Sequence, residues 1–270
     1  MKLLLILLAL ACRELVTVEW RDILTQPARQ WCQRMMTWGL NKQFSANLIL
    51  LLILAMPVML VAVALVIANQ LDSSWLLYGL LAFTLIPIFS DRELPTVTQL
   101  YRQQWLQHDM LADAESSIHH AKQHLLKAYL EELVTPVFWL LILGYMGLLV
   151  VLSYYLVRVS RRLASNRWLS ERTDHVLWYI DFIPSRAFAL TFALAGRFVE
   201  TWQYVVGQAK NTALSPVAFL VEAASQAEAS ESQSIAVESM RAVATLAAYE
   251  SLCYRSMLIW LVLLSLHWIL

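Results

Sequence analysis

Within the run VLWYIDFIPSRAFALTFALAG, residues 176–196, three side chains could do chemistry: Asp181, Pro184 and Arg186. The rest of the run is apolar enough to read as a membrane span. A charge at a bilayer centre costs about 2.5–3.5 kcal/mol on insertion scales, so such charges are read first as functional. On one continuous helix Asp181 and Arg186 would sit about 140° apart around the axis and could not pair. Proline has no amide hydrogen and holds the residue before it in extended geometry. It also fits the first position of a helix. The spacing therefore predicts helix 173–181, a break at 182–183 and helix 184–195, a kinked segment over 173–195. Asp181 would then hang near the positive end of the second helix, where a carboxylate is favoured by about 0.3–1 kcal/mol. Arg186 could fold back onto Asp181 or hold an anionic group such as a phosphate.

Other residues invite the same question. Five arginines, at 158, 161, 162, 167 and 172, follow an apolar run. They suit lipid headgroups and set membrane orientation; the sharper reading is recognition of an anionic ligand, with Arg158 nearest the apolar run. Glu131 and Glu132 precede Pro136 and could face Arg158 or Arg186, or simply end a helix. His120 and His124 are spaced for one helical face, but no HExxH or cysteine partner accompanies them, so a solvated polar face is the plain reading. Trp139, Trp168 and Trp178 read as interface anchors before sugar-stacking platforms. The three cysteines, Cys12, Cys32 and Cys253, lack CxxC spacing and read as reduced, packed thiols. None of the six glycines falls in a nucleotide-binding loop pattern.

The elements that must position these residues are helical and apolar. Hydrophobic residues make up 59% of the 270 and charged residues 15%, against about 25% charged in soluble domains. The formal net charge is zero, so no basic surface points to nucleic acid. Residues 1–25 imitate a signal peptide but lack a clean cleavage site, and read as a retained amphipathic or partly embedded helix. Residues 44–68 and 75–89 form two apolar runs joined by a short turn, an antiparallel pair of spans. Residues 91–132 carry apolar positions three to five apart, the mark of amphipathic helices. The run 137–157 is long enough to cross once, but Gly144 and Gly147 interrupt it. A single crossing would export the arginines of 158–172, whereas the first 43 residues hold six Lys or Arg and should share their side. A broken, re-entrant hairpin over 136–157 satisfies both. Ser215 before Pro216 is a helix start, within a polar, alanine-rich tract over 197–253. Residues 254–270 are a terminal apolar span.

Two of these stretches resemble a known family. The element T-P-V-F-W-L at 135–140, followed by Gly144 and Gly147, and the element Asp181-x-x-Pro184-x-Arg186 are similar to the family that joins the cobalamin-biosynthesis proteins CobD and CbiB with the regulatory protein AmpE. There a stretch like A-P-L-F-W precedes a glycine break and a stretch like W-[IV]-P-x-R follows. The resemblance is continuous from residue 120 to residue 196 and looser elsewhere. Its enzyme branch forms the amide bond of adenosylcobinamide phosphate. That branch carries Glu-Asn and Asp before A-P-L-F-W, and Asn-Thr-Leu-Asp-Ser after the glycine break. Here those stretches read Lys127, Ala128 and Glu131, then Tyr155, Leu156, Val157 and Arg158. Metal–nucleotide chemistry needs placed acids and donors. The AmpE branch lacks that set and keeps the Pro-Phe-Trp and Asp-x-x-Pro-x-Arg skeleton.

The expectation is therefore one all-α, polytopic membrane domain with broken or re-entrant helices. Spans fall at 44–68, 75–89 and 254–270, with amphipathic cytoplasmic helices over 91–132 and 197–253. The resemblance implies a non-enzymatic protein of the bacterial inner membrane, multi-pass, and the positive-inside rule places its N-terminus in the cytoplasm. It implies a link with β-lactamase induction and muropeptide recycling, without cofactor or metal. Beyond the lipid bilayer, the expected partner is an anionic cell-wall fragment or a regulatory protein. Pro136, Trp139, Arg158, Asp181, Pro184 and Arg186 are the expected contacts. A divergent amide ligase and a small-solute transporter are the alternatives.

Overall fold

The structure, a computed structural model, describes residues 18–71, 74–91, 94–107, 114–228 and 238–269. Cys12, Ser230, Ser232 and most of the N-terminal helix expected over 1–25 lie outside them. The described residues form helices α1 (Val18–Asn41), α2 (Ala46–Gln70), α3 (Ser74–Ser90), α4 (Leu94–Gln107) and α5 (Ala114–Tyr129). A π turn at Leu130–Val134 leads into α6 (Thr135–Leu143), and a 3₁₀ turn at Gly144–Met146 into α7 (Gly147–Leu163). Then come α8 (Arg167–Ala195), α9 (Phe198–Gln208), α10 (Pro216–Ala227) and α11 (Glu238–Ile269). No strand occurs among the described residues. The chain divides into two compact units, Met1–Asp91 with Pro136–Ile180 and Arg92–Thr135 with Asp181–Leu270.

In the first unit α1 packs on α2, α3 and α7, and α7 also packs on α2 and α3. Two helical stretches, Ala46–Gln70 and Glu115–Leu163, are long and apolar enough to cross a membrane, and Trp75–Ser90 is a shorter apolar helix. Helix α2 buries Ile49, Ile53, Val61 and Leu65, yet exposes Leu51, Met59, Leu60 and Val63. A helix apolar on its packed face and its outward face alike is what an apolar solvent requires.

The stretch 115–163 is not one rod. Gly144 has φ 57°, the left-handed conformation that glycine adopts without a Cβ penalty. A Cβ on Gly147 would lie 2.3 Å from the Trp139 carbonyl oxygen. In a straight helix, residues eight apart are separated by about 12 Å along the axis. The chain therefore turns back at Gly144–Met146, and α6 meets the start of α7 where Trp139 lies against Gly147. The small residue at 147 is what lets the two backbones touch.

In the second unit α5 packs on α4, α10 and α11, α11 on α4, and α9 on α10. Leu125, Leu126, Phe219, Leu220, Leu246 and Leu252 form its buried interior. Ser215 caps α10, its Oγ accepting from the Ala218 amide at 3.1 Å, with Pro216 in the first turn. Helix α11 runs unbroken over 238–269, so the apolar stretch from 254 continues the helix that begins in the polar tract.

One expectation is corrected. Residues 182–183 are not a break, because α8 is a continuous helix with Pro184 inside it. Its missing hydrogen bond is made good from another helix, as described below.

Replacing Gly147 with Ala should separate α6 from α7 and lower stability by about 1–3 kcal/mol, the usual cost of overpacking. Denaturant unfolding in detergent checks this.

Candidate functional site

Pro136 has no amide to give the carbonyl of Glu132, and its ring would collide with that carbonyl in a regular helix. The helix widens instead. The Thr135 amide donates to Leu130 O, five residues back, which makes the π turn. π turns inside α-helices often mark functional positions. The widened turn brings three acidic or polar groups inside: Glu131, Glu132 and Thr135 are all buried. Thr135 Oγ1 donates to Asp181 Oδ1 at 2.5 Å. Lys127 Nζ lies 3.9 Å from Glu131.

Pro184 creates the same deficit in α8, where Ile180 O loses its helical donor. Here a side chain supplies the proton. Trp139 Nε1 donates to Ile180 O at 3.2 Å. The indole of the Pro-Phe-Trp element thus completes the helix that carries the Asp-x-x-Pro-x-Arg element. This is why α8 stays whole.

Arg186 does not fold onto Asp181, which corrects the expected pairing. Its Nη1 donates to Phe182 O at 3.3 Å and to Ser185 Oγ at 3.1 Å, and its Nη2 donates to Asn211 O at 3.1 Å. The guanidinium lies 3.7 Å from the centroid of the Phe182 ring and 4.5 Å from that of Phe219. Two aromatic faces and neutral oxygens hold the cation. With the helix unbroken, the first-turn position imagined for Arg186 does not exist, and residues i and i+4 meet instead.

Arg158 sits in a cluster that the sequence did not reveal. Asp91, directly after α3, is 3% exposed. Arg162 Nη1 reaches Asp91 Oδ2 at 2.6 Å, Arg158 Nη2 the same oxygen at 3.6 Å, and Arg29 Nη2 the Oδ1 at 3.6 Å. Arg158 Nη2 also donates to the Asp91 carbonyl at 3.4 Å. Arg158 and Arg162 are one turn apart on α7, so both face the same point. The end of α3 is the negative pole of its dipole, which adds to the attraction. The other arginines diverge: Arg161 lies 3.8 Å from Asp174, Arg167 pairs with Glu171 in solvent, and Arg172 is exposed.

Pro136, Trp139 and Arg158 thus belong to the first unit, and Asp181, Pro184 and Arg186 to the second. Pro136, Asp181 and Pro184 are buried, and Trp139 is half-buried. Asp91, Arg29, Phe182, Asn211 and Phe219 are the contacts that sequence reasoning missed. Only Asp91 carried a signal, as the first charged residue after the apolar run 75–89. His124 meets Tyr101 Oη at 3.3 Å and His119 meets Gln123 at 2.9 Å. Among the described residues no three His, Cys, Asp or Glu side chains are grouped to hold a metal. Cys32 and Cys253 are buried and free. Burial pushes the Cys32 thiol up to about 11, against a weaker opposing bond to Ser160, so it stays protonated and unreactive at neutral pH.

Compared with protein-family models, curated proteins and solved structures, the chain has no match.

Trp139→Phe should cost about 1–2 kcal/mol, the cost of a half-buried carbonyl left without its donor. In a Pro184→Ala background the new amide can serve Ile180 O, and the cost of Trp139→Phe should fall below about 1 kcal/mol; a double-mutant cycle on unfolding midpoints measures the difference. Asp91→Asn should lower stability by about 3 kcal/mol because it breaks a buried ion-pair cluster. Arg167→Gln, at an exposed pair, should leave the same midpoint unchanged.

Proposed function

We propose that this chain is a non-enzymatic, multi-pass protein of the bacterial inner membrane, a regulator of the AmpE type that couples muropeptide recycling to β-lactamase induction. One observation carries the reading beyond sequence similarity. The Thr135–Asp181 hydrogen bond joins the two elements on which the resemblance rests, and Trp139 donates to the residue just before the second. The amide-ligase alternative is weakened by Lys127, Ala128, Tyr155 and Arg158 standing where the enzyme branch carries acids and amides. Two further features support membrane residence: α2 is apolar on every face, and the turn at Gly144–Met146 is compatible with entry and exit on one side.

The mechanism that fits is sensing. An anionic cell-wall fragment or a regulatory protein biases the α6–α7 turn. Displacing α6 pulls Trp139 from Ile180 O and leaves a half-buried carbonyl without its donor, so α6 and α8 respond together. Such a contact has two discrete states, made and broken, which a signal needs.

The test is β-lactam-induced β-lactamase activity, with muropeptide pools, in a deletion strain. Deletion should alter induction, and wild type should restore it. Trp139→Phe, at matched membrane abundance, should restore it only in part. Unchanged induction and unchanged pools on deletion reject the reading, and corrinoid and transport assays then decide between the alternatives.

A further inference from the structure

Helix α9 has three sides. Thr201 and Val205 are fully buried on the side packed toward α10. Glu200 and Gln203 lie toward a polar edge, with Gln203 exposed. The third side is apolar and open: Phe198 is 49% exposed, Val199 61%, Trp202 45% and Val206 55%. At 100° per residue these four fall within a sector of about 100°. The Phe198 and Trp202 rings stack at 5.7 Å on that face. Arg197 and Lys210, both exposed, stand at its two ends.

Two other helices of the second unit also expose apolar side chains. Leu190 and Leu194 are exposed on the last turns of α8, and Tyr254, Leu258 and Val262 are exposed four residues apart on α11. Arg255 Nη1 donates to Ala195 O at 2.9 Å, and its Nη2 pairs with Glu228 at 2.8 Å. That ties α11 to the α8–α9 junction. A single docked helix covers one stripe, whereas exposed apolar side chains shared by three helices suit a continuous apolar phase.

We infer that α9 lies in the plane of the membrane surface, with Phe198, Val199, Trp202 and Val206 seated at the boundary between headgroups and acyl chains. The inference rests on the membrane reading given above and departs from the cytoplasmic placement expected for residues 197–253. A helix with one apolar and one polar side binds an interface through its apolar area and through cations near the phosphates. Tryptophan at the headgroup level is the usual anchor, and the exposed Lys210 is placed to meet lipid phosphate, while Arg197 pairs with Glu200. Helix α9 then fixes the depth of the second unit rather than spanning.

The test uses the full chain with Cys12→Ser, reconstituted in vesicles of phosphatidylethanolamine and phosphatidylglycerol. The native Cys32 and Cys253 are buried and resist labelling. Single spin labels go to Val199→Cys, Val206→Cys and Gln203→Cys, with Leu60→Cys on α2 as reference. Power saturation with oxygen and with a water-soluble nickel chelate reports depth. The inference expects labels at 199 and 206 to favour oxygen over the chelate several-fold more than the label at 203. Chelate access at 199 and 206 while 60 is oxygen-rich overturns it and leaves the membrane reading standing. Chelate access at 60 as well overturns both. Labels at 199 and 206 shielded from both probes show a protein partner or second copy on the face, and also overturn it.

Discussion

A carbonyl inside a packed helix must find a donor, and proline removes one from the residue four places back. This chain sets that problem twice, at Pro136 and Pro184. The first is solved within the helix by a π turn, in which the amide ahead of the proline reaches five residues back. The second is solved from outside, by the indole of Trp139. The outside solution holds only if α6 is fixed, and α6 is fixed by the backbone contact that Gly147 permits and by the reversal that Gly144 makes. Turn, indole and helix α8 form one chain of dependence.

The buried arginines follow the same logic of satisfaction with different means. Arg158 shares a carboxylate and a helix end with Arg162 and Arg29 around Asp91. Arg186 lies against two phenyl rings and donates to neutral oxygens. The first arrangement is salt-bridged and joins α1, α3 and α7. The second is local to the second unit and needs no acid. Burial lowers the Arg186 guanidinium from its ordinary value, with Tyr204 opposing, yet arginine stays charged at any physiological pH.

Much of the fold was legible. The apolar runs at 44–68 and 75–89 became α2 and α3, and the Ser215–Pro216 start appeared where the sequence placed it. Gly144 and Gly147 marked the reversal because one needs a positive φ and the other a close approach. The site was less legible. Pro184 predicted a break because local rules assume that only the backbone supplies donors. A tryptophan 45 positions earlier in the chain cannot be seen by those rules. Asp91 was missed for a similar reason, since its partners lie on helices distant in sequence. The Arg186 site depends on Phe219, whose role arises only from packing.

The tie between Trp139 and Ile180 O also fixes an order of change over the history of such a sequence. A proline entering at 184 before the tryptophan was in place would have left a half-buried carbonyl without its donor. With the tryptophan already there, the same substitution costs little, because the indole waits beside the acceptor. Loss must run the other way, proline first and tryptophan second. Of the two single-step paths between the doubly altered and the present sequence, one crosses a less stable intermediate and the other does not.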